Sequence, residues 1–163
     1  MKKILAVLVV AACALPVLLG AQPADNKKML QMFSSEARTD WGNLQVVVLN
    51  DRTVEALFGT SPAKAAFRTK ARITSVFFVQ GTVNKEFEFK PEITVEQKGE
   101  KLPGKITPMK NFAGGKVPKG ETMQVLVELP KKIDLYEPFK VNVAGQNVDF
   151  NLNDDDVRDY GNR

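Results

Sequence analysis

Alternation of apolar and polar side chains recurs along most of the chain. The stretch "FRTKARITSVFFVQGTV", residues 67–83, places Phe67, Thr69, Ala71, Ile73, Phe77 and Val79 on one side of an extended backbone. Arg68, Lys70 and Arg72 fall on the other side, followed by Thr74, Val76 and Phe78, and Gly81 ends the run. Such period-two patterning predicts a half-buried β-strand. "EFEFK" repeats it with Phe87 and Phe89 on one face, closed by Pro91. "TMQVLVELP" aligns Met123, Val125, Val127 and Leu129, and Pro130 stops it. "NLQVVVLND" differs, because the unbroken Val46-Val47-Val48-Leu49 run predicts a strand buried on both faces.

Turn residues divide these runs. "ITVEQKGEKLPGKI" predicts a hairpin closed at Lys98-Gly99, and "PFKVNVAGQNVDFNL" a second closed at Ala144-Gly145. Residues 110–120, "KNFAGGKVPKG", form a loop rich in Gly, Pro and Lys. In "GTSPAKAAF" Gly59 and Pro62 break the chain, and Ala63 to Ala66 allow one helical turn. Residues 25–38 read either as a short helix, with Met29, Leu30, Met32 and Phe33 as its apolar face, or as a flexible linker. The tail from 153 to 163 carries four aspartates without an apolar periodicity and is expected to fray. The sum is about seven to nine short strands, the signature of an antiparallel sandwich or small barrel. The expected fold is an all-β, immunoglobulin-like sandwich over residues 41–152.

The first residues read differently. Lys2 and Lys3 precede an apolar run from Ile4 to Leu19, broken by Pro16 and followed by Gly20 and Ala21. That is the layout of a secretory signal peptide, with cleavage expected after Ala21. A second reading takes Val10-Ala11-Ala12-Cys13 as a lipobox with Cys13 lipidated, although the residues after it stay apolar where a polar tether is usual. Export to the periplasm or beyond is the expectation. Membrane attachment would follow only from lipidation at Cys13.

Removal of the leader sharpens the composition. Cys13 is the only cysteine, and the chain contains no histidine. A chain cut after Ala21 therefore makes no disulfide and lacks the usual zinc and copper ligands. Ser-His-Asp and Cys-His mechanisms are excluded with them. No cofactor is expected. The chain carries 23 Lys and Arg against 19 Asp and Glu, and without Lys2 and Lys3 the excess falls to two. That balance does not predict a nucleic-acid partner, which calls for a concentrated basic face.

The segment from Phe77 to Val143 resembles the bacterial telokin-like, immunoglobulin-type extracellular domains. The resemblance rests on "FFVQGTVN", "FEFKPEITV" and "VPKGETMQVLVELP", and covers about two fifths of the chain. It implies an exported β-sandwich that binds or scaffolds without catalysis. The cysteine pair and core tryptophan of antibody domains are missing from the matched segment; Trp41 lies outside it.

Four groups of residues are candidates for function. Arg68, Lys70 and Arg72 at strand spacing would form a row of cations about 7 Å apart, suited to an anionic polysaccharide. The same charges on an edge strand would guard against aggregation of Val76-Phe77-Phe78-Val79. The loop offers Lys110, Lys116 and Lys119 around Gly114-Gly115, with Phe112 either tucked onto the core or presented to a partner. The acidic tail has calcium-type oxygens without the spacing of an EF-hand. Glu86, Glu88 and Glu128 are the carboxylates available for a glycosidase. The reading these support is a non-enzymatic binding or structural module of the cell envelope, its partner a protein or an anionic polysaccharide. A carboxylate-based glycan hydrolase and a lipid-anchored subunit of an envelope assembly are the alternatives.

Overall fold

A computed structural model describes residues 24–161; the expected leader, its cleavage site and Cys13 lie outside the described residues. The chain forms α1 (Ala24–Met32), β1 (Ser34–Arg38), β2 (Gly42–Val48), α2 (Asp51–Phe58), α3 (Lys64–Ile73) and β3 (Val76–Val83). It continues through β4 (Phe87–Phe89), β5 (Ile93–Gln97), β6 (Glu100–Pro103), β7 (Lys105–Lys110), β8 (Gly115–Val117) and β9 (Thr122–Glu128). β10 (Phe139–Val143), β11 (Gln146–Phe150) and α4 (Asp154–Tyr160) complete it. All strand pairs are antiparallel.

Two sheets make the sandwich, in the orders β1-β2-β3-β9-β7 and β11-β10-β5-β6, with β4 and β8 as a separate ribbon. With β1 set aside, the first sheet has the A-B-E-D order of immunoglobulin sandwiches. The second has G-F-C order with one further edge strand. The expected all-β sandwich is therefore present, with eleven strands among the described residues instead of seven to nine. The additional strands come from segments read as linker and loop. β1 lies in the segment taken as linker or helix and pairs with β2 from Ser34↔Val47 to Arg38↔Asn43. β8 lies in the lysine-rich loop and pairs with β4.

Both hairpins form at the expected turns. Lys98 and Gly99 have φ of 52° and 80°, and Ala144 and Gly145 have φ of 49° and 85°. Two successive left-handed residues match the twist of the flanking strands. The space between the sheets is filled by side chains of alternate positions. Phe77 sits at its centre against Phe139 and Phe150, which stack on each other at 4.7 Å. Burial of each such ring contributes about 1.5–3 kcal/mol.

The unbroken apolar runs have a specific cause. Leu44, Val46, Val48, Phe77 and Val79 face the sandwich interior. Val47, Val76, Phe78 and Leu126 face the other way into a second apolar cluster with Leu30, Val54, Phe58 and Ala71 of the helices. α1, α2 and α3 thus cover the outer face of the five-stranded sheet, and the runs at 46–49 and 76–79 are buried on both sides. Phe58 bridges this layer, 4.8 Å from Phe67 of α3 and 5.5 Å from Phe78 of the sheet, centroid to centroid.

The alternation read as a strand over residues 67–73 is corrected by α3. Phe67 and Ala71, four residues apart, satisfy a helical stripe as well as a period of two. Their neighbours are Ala, Lys and Arg, all strong helix formers. The strand begins only after Thr74, whose backbone N–H caps the helix on the Lys70 carbonyl and whose hydroxyl donates to the Leu129 carbonyl at 2.7 Å. The tail is corrected as well. Asn153 caps α4 by accepting from the amides of Asp155 and Asp156, and its aspartates occupy the first turn. Negative charge there favours the helix dipole.

Candidate functional site

α2 begins where the sheet ends. Asn50, buried, accepts through Oδ1 from the amides of Arg52 and Thr53, and Thr53 Oγ1 accepts in return from the Asn50 amide at 2.8 Å. This box fixes Asp51 and Arg52 in the first turn, beside the C-terminal end of α3. α4 closes over the same place, with Val157 buried in a recess shared by Val48, Leu49 and Ala71.

The three basic residues expected to form a row are divided by the helix. Arg68 donates to Glu55 of α2 at 2.6 Å. Arg72 grips both carboxylate oxygens of Asp51. Lys70 points elsewhere and pairs with Glu128 on β9. Residues two apart on a helix do not share a face, so no cationic row exists. The three side chains tie α3 to α2 and to the sheet. The Arg72 hydrogen bond is the main reason that the Asp51 carboxyl lies below its ordinary pKa of 3.8. Burial opposes that shift, and the charges of Arg72, Arg68 and Arg52 add to it.

The loop residues also separate. Phe112 is tucked onto the core, 4.4 Å from Phe89. Lys110 ends β7 opposite Gln124. Lys116 sits on β8 opposite Glu88 and 3.9 Å from Glu86. Lys119 stays exposed on the turn before β9. Gly114 and Gly115 supply left-handed turn geometry, and Gly115 then pairs with Phe89 in the ribbon. The carboxylates are dispersed too: Glu86 and Glu88 lie at the ribbon, and Glu128 is held by Lys70 across the molecule. Among the described residues no group of three or more acidic side chains is placed to hold a metal ion.

What the fold does bring together was not visible in the linear pattern. Asp51 and Arg52 of α2, Arg72 of α3, and Arg158, Asp159, Tyr160 and Gly161 at α4 line an open cleft of about 760 Å³. Gly161 and Val157 also border a smaller recess of about 200 Å³ that holds Ala71, Thr74, Ile133 and Tyr136. α4 is therefore a wedge between two hollows of one groove. Arg158 is engaged by Asp155 at 2.9 Å and Asp159 at 3.2 Å. Arg52 is exposed, and among the described residues no carboxylate lies within ion-pair distance of it.

Two of the exposed apolar side chains lie at the same groove. Ile73, Tyr136 and Tyr160 are the large hydrophobic side chains exposed among the described residues, at 73%, 52% and 38%. Tyr160 lines the cleft, Tyr136 the recess, and Ile73 lies in sequence between Arg72 of the cleft and Thr74 of the recess. These three residues span 87 positions of sequence, and the packing of α4 against the segment after β9 brings the two tyrosines to adjoining hollows.

The sheet margins offer less. β7 carries Pro108 and a register shift between Pro108 and Lys110, which blunts its edge. The outer face of the second sheet carries a charge ladder, Asp149–Lys140–Glu96–Lys101, that neutralises itself across all four strands. No helix among the described residues is long and apolar enough to cross a membrane. The chain matches no family profile, no curated protein and no solved structure.

Proposed function

We propose that this protein is an exported, non-enzymatic binding module that acts through surface contact at the α4 groove. One observation carries the reading: of the large hydrophobic side chains exposed among the described residues, Tyr160 lines the cleft with Arg52, Arg72 and Arg158, Tyr136 lines the adjoining recess, and Ile73 follows Arg72 at the end of α3. Tyrosine and arginine around an apolar centre are the composition enriched at protein interfaces. The leader-like start supports export, and the absence of histidine and of any cysteine after Cys13 fits contact chemistry.

The test is the size of the native particle. In gently solubilised cell envelopes the wild type elutes as an assembly larger than the 18.0 kDa of the full, uncleaved chain. Ile73→Asp with Tyr136→Asp returns it to the monomer position while circular dichroism stays unchanged. Wild type and variant eluting together would refute the proposal.

A further inference from the structure

α4 is seated on the body by very little apolar contact. It is seven residues long, and a helix that short is not stable alone in water. Val157 is the one side chain it buries, in the recess beside Ala71. The Asn153 cap, the Arg158 pairs with Asp155 and Asp159, and the Gly161 amide on the Val157 carbonyl all close within residues 153–161. They stabilise the helix without fastening it to the sandwich. Across the cleft stands charge of the opposite sign. α4 carries four aspartates and one arginine. α2 and α3 together carry five basic side chains against Asp51 and Glu55, and an excess of two remains after Glu128 takes up Lys70. The cleft is the seam between these two surfaces, and attraction between exposed groups of this kind is weakened by salt.

We infer that α4 is a charge-held latch: it opens as a unit while the sandwich stays folded, withdrawing Val157 from the recess and Tyr160 from the cleft. Local opening belongs to elements that few apolar contacts hold in place. The closed latch supplies the tyrosine wall of the groove, so its position regulates whether the groove exists. The latch stands on packing and charge alone. Its bearing on assembly rests on the groove being a contact surface.

Thiol labelling tests it. Val157→Cys, and Val141→Cys in the sandwich interior as the reporter of global unfolding, are each made with Cys13→Ser, so that the introduced thiol is the only one. Cysteine is tolerated at buried apolar positions. In native buffer an aromatic disulfide reagent is expected to modify position 157 about a hundredfold faster than position 141. Raising salt from about 20 mM to about 1 M speeds position 157 about threefold. Arg52→Glu, which reverses a charge on the wall facing α4 without touching the helix, speeds it about twofold. Neither change speeds position 141. Hydrogen exchange repeats the test without a substitution: the Val157 and Gly161 amides, bonded within α4, exchange ahead of those of β10 in the wild type. Equal labelling at 157 and 141, or a rate at 157 indifferent to salt or to Arg52→Glu, overturns the inference. In the native particle, Val157→Asp holds the latch open and returns the protein to the monomer position. A particle that survives Val157→Asp but not Ile73→Asp with Tyr136→Asp removes the role of the latch in assembly and leaves the contact reading standing. One that survives both removes both.

Discussion

Reversing the charge of Arg68 and Arg72 distinguishes a strut from a binding row. Arg68 meets Glu55 with side chains 36% and 45% exposed, and Arg72 meets Asp51 at 63% and 35%. Exposed pairs of this kind contribute about 0.2–1 kcal/mol each, and a like-charge pair costs a similar amount. Arg68→Glu with Arg72→Glu therefore removes two attractions and creates two repulsions, a loss of about 1–3 kcal/mol. The loss falls on the contact between α2 and α3, whose apolar seam is Phe58, Phe67 and Ala71. Urea denaturation followed by far-ultraviolet circular dichroism measures it, and hydrogen exchange locates it in α3 before β3. A swap, Glu55→Arg with Arg68→Glu, recovers much of the loss from Arg68→Glu alone. Undiminished stability in the double reversal, or a swap that recovers nothing, refutes the strut assignment. On an anionic polysaccharide column the double reversal lowers retention no more than the charge-matched Lys90→Glu with Lys105→Glu does.

Other consequences follow from close packing, turn geometry and charge. Gly104→Ala places a methyl 2.3 Å from Val127 Cγ1 and 3.2 Å from the Ile93 carbonyl; urea denaturation is expected to show a loss of about 1–3 kcal/mol. Ala144 occupies a left-handed position at φ 49° before Gly145, so Ala144→Asn is expected to stabilise by about 0.5 kcal/mol, read as a higher melting temperature. The Asp51 carboxyl is held below its ordinary pKa of 3.8, chiefly by the Arg72 hydrogen bond. Its contribution is complete above that value and is lost as pH falls through the lowered one. Asp51→Asn therefore loses less stability on acidification below about pH 4 than the wild type does, as measured by urea midpoints across pH.

Much of the sandwich was legible because its signals are local. Lys98-Gly99 and Ala144-Gly145 announce their turns, and the Phe87/Phe89 and Met123–Leu129 alternations announce their faces. The Val46–Leu49 run predicted burial on both sides, and the helical layer supplies the second cover. α3 resembles a strand in sequence because Phe67, Ala71 and Ile73 fit a period of two over a short window, while the helix-forming content of "KAAFRTKARI" decides its conformation. The acidic run at 154–156 has the composition of a solvated tail, although Asn153 before it is a capping residue. The groove had no local signal. Arg52, Arg72 and Tyr160 are brought together by the α2–α3 packing and by one buried valine in α4, and no spacing in the chain encodes that meeting.

The most direct test of the groove as the working surface is site-specific photo-crosslinking in living cells. A photoreactive side chain replaces Ile73 in one strain and Lys105, on the β7 edge of the sheet, in another. The account predicts one discrete adduct from position 73, lost when Tyr136→Asp is added, and none from position 105. Adducts of equal yield from both positions, or an adduct at 73 that is indifferent to Tyr136, would contradict it.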